Sequence, residues 1–322
     1  MSNKSIPLSQ TLPNVSALAY GCMGLGGGWD SAPITNEHRS HAHAAVEAAL
    51  ESGINLFDHA DIYTKGKAEA VFGDVLKSTP SLKENMYIQS KCGIRFEDDL
   101  GAGRYDFSAQ WVTESTEGIL TRLGIEQLDI LLLHRPDPLV EFEELADALH
   151  KLHAAGKVAH FGVSNMNAAQ IRRLQTYLDH PIVINQVEMS LAKVDFIKQG
   201  IALPFEGDQF SQGTLEHCQE HNIQLQAWGC LAQGRFSEQG FTSDNEAVRA
   251  TAHYVAQLAE QYQVSSEAIV LAFLTRHPSG IQPVIGTTNP KRIKACADAV
   301  NVNLTRAEWY TLLTYSMGNP VP

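Results

Sequence analysis

The chain is poor in the residues that would mark a metal, disulfide or nucleic-acid scaffold. Its five cysteines, Cys22, Cys92, Cys218, Cys230 and Cys296, are dispersed and form no CxxC pair. Neither a zinc ribbon nor a disulfide framework is signalled, and reduced thiols of a cytoplasmic protein are the default. Lys and Arg number 24 against 36 Asp and Glu, a formal net charge of -12. That balance argues against nucleic acid or an anionic membrane as partner, because phosphates attract basic patches. A dinucleotide, which needs only a few local contacts, stays compatible. Long apolar runs are also missing: Ile130 to Leu133 stops at His134, well short of a bilayer span. The opening residues, MSNKSIPLSQTLPNVSAL, lack an apolar segment of signal-peptide length. No repeat, low-complexity tract or linker divides residues 1–322, so one domain is expected, in the cytoplasm, and nothing in the pattern sets an oligomeric state.

What is present is an alternation. Hydrophobic residues make up 44% and charged residues 19% of 322 positions, ordinary for a globular protein and enough for one α/β barrel of typical size. Eight apolar, β-branched segments read as strands: 16–20, 54–58, 86–91, 128–134, 158–164, 182–187, 223–228 and 282–285. Their near-continuous hydrophobicity suits strands covered on both faces. Between them run helical stripes. Phe142, Leu145, Leu149 and Leu152 share one face. Trp111, Ser115, Ile119 and Leu123 do so less strongly, behind Ser108 as N-cap. Gly53, Gly124 and Gly156 end helical stretches. The residues up to about Val15 are expected to cap the barrel bottom. Segments 191–209 and 229–245 lack helical period and read as substrate or cofactor loops. Alternation alone fits either a closed (β/α)8 barrel or an open doubly wound sheet.

The strand ends carry the chemistry. They stop at Asp58, Lys91, His134, Ser164 with Asn165, Gln186, Trp228, and Gly286 with Thr287, while Tyr63 lies five residues past the first. In a barrel of parallel strands these ends open on one face, where such folds hold their active sites. Neighbouring strands lie about 5 Å apart, so Asp58 and Lys91 can meet. An ammonium beside the Tyr63 phenol is expected to favour the phenolate and lower its pKa from about 10. His134 can hydrogen-bond at the same point. The four groups form a proton-transfer unit centred on a tyrosine, suited to giving a carbonyl oxygen a proton. Singly, Asp58, Lys91 and His134 also fit a structural ion-pair network.

With these residues in place, the chain resembles the aldo-keto reductases over essentially its whole length. The matching stretches are GCMGL (21–25), DHADIY (58–63), SKCG (90–93), LLLHRPD (131–137), GVSN (162–165), NQVEMS (185–190) and IGTTNPKRI (285–293). The resemblance implies a single (β/α)8 barrel that reduces small-molecule aldehydes or ketones, reversibly, with NADP(H). It places the catalytic tetrad on Asp58, Tyr63, Lys91 and His134. It places Ser164, Asn165 and Gln186 on the nicotinamide carboxamide and Trp228, where many relatives have tyrosine, against the ring. The backbone of Gly229, Leu231 and Gln233 would follow the pyrophosphate; Thr287 and Arg292 would meet the 2′-phosphate, with Gly286 and Thr288 also among the cofactor contacts. Gly286, where some relatives carry lysine, and Ala295–Cys296 in place of a polar pair weaken the preference for NADP(H) without reversing it. The short segment after the helix holding Trp309, Leu312 and Leu313 implies an open site.

Each of these residues also has a plainer reading. Ser164 and Asn165 suit a helix cap, Trp228 a core position and Arg292 a solvated helix. Channel-associated relatives raise the alternative of a nicotinamide-binding, redox-sensing subunit with little turnover. His217, Glu220 and His221 fit HxxEH spacing, but no third ligand is evident, and imidazolium there suits a helix C-terminus; no metal is expected. His38, His41 and His43 read as a solvated helix face. The glycine-rich run 21–28 lacks GxGxxG spacing, which removes a Rossmann reading.

Overall fold

The computed structural model describes residues 6–201 and 213–321. Its strands are β1 (Ala19–Gly21), β2 (Leu56–Asp58), β3 (Tyr87–Cys92), β4 (Ile94–Arg95), β5 (Arg104–Tyr105), β6 (Leu128–Leu133), β7 (Val158–Ser164), β8 (Ile182–Glu188), β9 (Gln224–Trp228) and β10 (Gln282–Ile285). Eight of them close into a parallel barrel in the order β1-β10-β9-β8-β7-β6-β3-β2. Closure rests on β1, whose Ala19 pairs with Val284 on one side and Leu56 on the other. Helices lie between successive strands, so the fold is a (β/α)8 barrel and the open-sheet alternative is removed. No helix among the described residues is long and apolar enough to cross a membrane.

The period-2 alternation of each strand divides its side chains between two cores. On β6, Ile130 and Leu132 join Leu56, Ile184 and Val284 inside the barrel, with Leu8, Leu12 and Val15 of the N-terminal segment packed there too. Leu131 and Leu133 face the helices instead, with Phe57, Ile88, Phe161, Leu145 and Leu149. Both faces are dry, which explains the continuous apolar runs. Inside, a Cβ on Gly162 of β7 would stand 3.1 Å from both Ile184 Cβ and Leu132 Cγ, so only glycine fits this layer unshifted. The helix Ala109–Leu123 starts at Ser108, whose hydroxyl accepts from the Trp111 N–H, and stops at Gly124 in the left-handed region.

Three local expectations change. The β4–β5 pair is an antiparallel hairpin built into the loop after β3, where no strand was expected. Segment 191–209 is not irregular throughout: Asp195–Ile201 is helical, and 202–209 lie outside the described residues. Segment 229–245 contains short 3-10 turns at Ala232–Gly234 and Glu238–Thr242. In both places the elements are too short to show a helical stripe.

Candidate active site

The inward register carries polar residues upward to the mouth. Asp58 follows Leu56 on the inner face of β2, and Lys91 follows Gln89 on β3. The Lys91 ammonium donates to Asp58 Oδ1 at 2.6 Å and to the His59 carbonyl at 2.7 Å, with both side chains almost wholly removed from water. Gln89 and Gln186 donate to the same carboxylate oxygen at 2.6 and 3.0 Å. Behind them Gln226 exchanges hydrogen bonds with Gln89, accepts from Gln186 and donates to Gln282, whose amide donates to the Ser16 carbonyl. This chain of buried glutamines occupies barrel positions usually filled by branched apolar side chains. Gln89, Gln226 and Gln282 were not singled out from the sequence. Their signal was inward register with Lys91, Trp228 and Val284.

Tyr63 is turned back over the mouth by a short 3-10 segment, Tyr63–Gly66, in which Thr64 and Lys65 are left-handed at φ 47° and 59°. Non-glycine residues rarely adopt this conformation, and the Thr64 hydroxyl secures it by donating to the Leu25 carbonyl at 3.1 Å. The Lys91 nitrogen sits 5.0 Å from the Tyr63 ring centroid. The His134 ring meets it edge-on, 6.1 Å between centroids.

The expected lowering of the Tyr63 pKa is overturned. Burial, which penalises the phenolate, outweighs the Lys91 ammonium and leaves the phenol raised above its usual value. Burial also opposes the charge on Lys91, yet Asp58 and Tyr63 together carry its pKa upward. His134 is pushed down to about 2 by burial, then by Lys91 and Arg135, and its buried Nδ1 has no partner among the described residues. The site therefore holds a protonated phenol, a charged ammonium and a neutral imidazole at neutral pH.

Three titratable residues beyond the tetrad lie close beside it. Asp61, on the same turn, is raised to about 7 by burial and then by Glu69, and its Oδ1 has no partner among the described residues. Glu69 accepts from Ser90 at 2.6 Å and from Arg122 at 2.8 Å. His59, wholly buried, has neither ring nitrogen paired among the described residues and is lowered to about 3 by burial and Lys91.

A cleft of about 780 Å³ runs from this unit along the strand ends. Asp58, Tyr63, His134, Ser164, Asn165, Gln186 and Trp228 line one end; Gly229, Leu231, Gln233, Gly286, Thr287, Thr288 and Arg292 line the other. Of the residues expected in the site only Lys91 is absent from the lining; its side chain is almost wholly removed from water against Asp58. Ser164 and Asn165 are not the helix cap. That role falls to Asn167, in a capping box with Gln170. Asn165 Nδ2 donates to Ser164 Oγ at 2.8 Å, and Asn165 Oδ1 accepts from the Trp228 indole N–H at 3.1 Å. Trp228 is half-buried and fixed in plane, so it is no core residue. Gln186 spends its N–H groups on Asp58 and Gln226, and its Oε1 has no hydrogen-bond partner among the described residues.

At the far end Gly229, Ala232, Gln233 and Gly234 all have positive φ, a run of backbone that forms anion-binding concavities. Gly286 has open space where a Cβ would stand. Arg292 Nε pairs with Glu267 at 3.1 Å while its side chain stays half exposed. Sequence reasoning missed this pairing. It also missed the apolar rim of Met23, Trp29, Ile62 and Ile94, whose sign was a methionine and a tryptophan flanking a glycine run.

His217 and His221 lie ring against ring, 4.3 Å between centroids, with His221 Nδ1 2.9 Å from the His217 carbonyl. Burial and His221 disfavour a charged His217, contrary to the helix-end expectation. His38 is no idle surface residue, since its Nδ1 accepts from the Thr35 N–H in a capping box.

The chain belongs to the aldo/keto reductase family, whose model matches residues 17–313. It is 35% identical to the 6-dehydroglucose reductase of Agrobacterium fabrum, over 98% of this chain and 99% of that protein. It is 36% identical to the oxidoreductase YdhF of Escherichia coli, over 86% of this chain and 88% of that one. Among solved structures, an aldo-keto reductase from Klebsiella pneumoniae in complex with NADPH superposes with a TM-score of 0.75 at 22% identity, covering 100% of this chain and 97% of its own.

Proposed function

We propose that this chain reduces aldehydes or ketones to alcohols with NADPH, reversibly, and that Tyr63 is the general acid. The observation that carries this reading is the Tyr63 hydroxyl lining the cleft beside the buried Lys91–Asp58 pair and edge-on to His134, with burial favouring the acid form of the phenol and the neutral imidazole. The Klebsiella structure is a complex with NADPH, and the residues here fit that molecule. Trp228 offers a ring face, Gln186 Oε1 an acceptor for a carboxamide N–H, the positive-φ run 232–234 backbone for a pyrophosphate, and Thr287 with Arg292 a hydroxyl and a cation for the 2′-phosphate.

When bound, the reduced nicotinamide supplies the hydride. Tyr63 gives its proton to the carbonyl oxygen, so the substrate gains a hydride at carbon and a proton at oxygen. The Lys91 ammonium stabilises the phenolate left behind until it takes a proton back from solvent. His134, neutral, orients the carbonyl by a hydrogen bond. Asp58 keeps Lys91 charged and aimed.

The test is a panel of carbonyl compounds with NADPH consumption as readout, including 4-nitrobenzaldehyde and, because a relative is named a 6-dehydroglucose reductase, hydroxylated aldehydes. Turnover is expected. Tight NADPH binding, followed by quenching of Trp228 fluorescence, with negligible turnover of every compound would overturn the enzyme in favour of a redox-sensing subunit.

A further inference from the structure

Arg135 follows His134 and lies where the main cleft meets a second cavity of about 420 Å³. Its guanidinium stands 5.5 Å from the Trp228 ring centroid. It has no carboxylate or carbonyl partner among the described residues, whereas Arg39, Arg95, Arg104, Arg122 and Arg292 are each held by an acid. Glu188, at the end of β8, lines the same cavity and also has no partner among the described residues.

Met166, Val187 and Trp228 give that cavity apolar wall, and the remaining groups along it are polar and half spent. In the capping box Asn167 and Gln170 use their side-chain oxygens to accept backbone N–H groups, at 3.0 and 2.9 Å. Their amide N–H groups remain as donors. Lys193 and Asp195 pair with each other at 3.0 Å. The cavity thus offers donors at Arg135, Asn167 and Gln170, and an acceptor at Glu188.

Arginine only donates and a carboxylate only accepts. A hydroxyl does both, so a chain of hydroxyls satisfies every one of these groups. A carboxylate tail would gain Arg135 but meet Glu188 and Asp195. An alkyl tail would desolvate charged groups and leave them unpaired, which is costly.

We propose that Arg135 and Glu188 read hydroxyl groups on the non-reacting part of the substrate, which is a polyhydroxylated, sugar-type aldehyde or ketone. Its carbonyl lies at Tyr63 and His134, and its hydroxylated chain passes Arg135 into the second cavity. This rests on the reductase reading above and adds the substrate class.

Three four-carbon aldehydes test it on the full chain with NADPH: D-erythrose, butanal and succinic semialdehyde, with 4-nitrobenzaldehyde as a general substrate. Wild type should favour erythrose in kcat/KM over butanal and succinic semialdehyde by about tenfold or more, as sites built to bind hydroxyls do. Arg135→Leu should reduce the erythrose-to-butanal ratio by about tenfold, through KM more than kcat. Glu188→Gln should reduce the same ratio less, in a protein whose cation is untouched. An equal loss on all substrates in both variants would make the two residues structural and overturn the proposal. So would a wild-type preference for butanal, or an Arg135→Leu loss confined to succinic semialdehyde, which marks an anion reader. Turnover of 4-nitrobenzaldehyde with any of these results sinks only the hydroxyl subsite. No turnover of any aldehyde sinks the reductase reading, and the subsite with it.

Discussion

Gln89 donates to Asp58 at 2.6 Å, onto the same carboxylate oxygen that accepts the Lys91 ammonium. Asp58 is thereby aimed by the barrel interior as well as by its ion pair. Gln89→Leu removes that donor and strips Gln226 of both a donor and an acceptor. Groups left unpaired in a buried site cost about 1–3 kcal/mol, so the variant should lose that much in urea unfolding. A loss below about 0.5 kcal/mol, the scatter of neutral surface changes, would show that the glutamine chain contributes nothing to stability.

Tyr63→Phe should nearly abolish carbonyl reduction while NADPH still binds. With the wild-type phenol raised by burial, the acid form persists through neutral pH. The reduction rate should therefore stay level from about pH 6 to 9 and fall only above the ordinary tyrosine value of about 10. His134, at about 2, adds no limb near pH 6.5. Retention of more than about a tenth of wild-type turnover, well above the loss expected for a general acid, would place the proton donor elsewhere.

Asp61 holds its proton to about pH 7 in the folded chain, whereas an unfolded aspartate releases it near 3.9. Between those values the folded state binds more protons, so its stability falls as pH rises through this window. Asp61→Asn, which copies the protonated form, should be more stable than wild type at pH 7.5 by about 2–4 kcal/mol. The gain should vanish below pH 4. Equal stability of the two proteins at pH 7.5 would show that Asp61 is ionised at no cost.

The proposed 2′-phosphate contact falls on Arg292, which Glu267 holds at 3.1 Å. A charge-assisted contact to the 2′-phosphate is worth about 1.5–3 kcal/mol, so NADPH should bind at least about tenfold tighter than NADH. Arg292→Ala should weaken NADPH alone and flatten its salt dependence. Glu267→Gln, which frees the guanidinium, should tighten NADPH and leave NADH unchanged. Equal wild-type dissociation constants for the two coenzymes in low salt would refute the site.

Much of this molecule is written in local pattern. Strand and helix positions follow from periods of two and of three to four, which depend on each residue's own neighbours. The polar stops at Asp58, Lys91, His134, Gln186 and Trp228 were legible for the same reason, since parallel strands put their ends on one face. Only the tertiary structure decided what those residues meet. Barrel closure through β1, the glutamine layer under Asp58 and the hold of Glu267 on Arg292 join positions far apart in the chain. The direction of the Tyr63 shift was misjudged because proximity to Lys91 can be read from strand order, whereas the depth of burial that outweighs it exists only once eight strands have closed and excluded water.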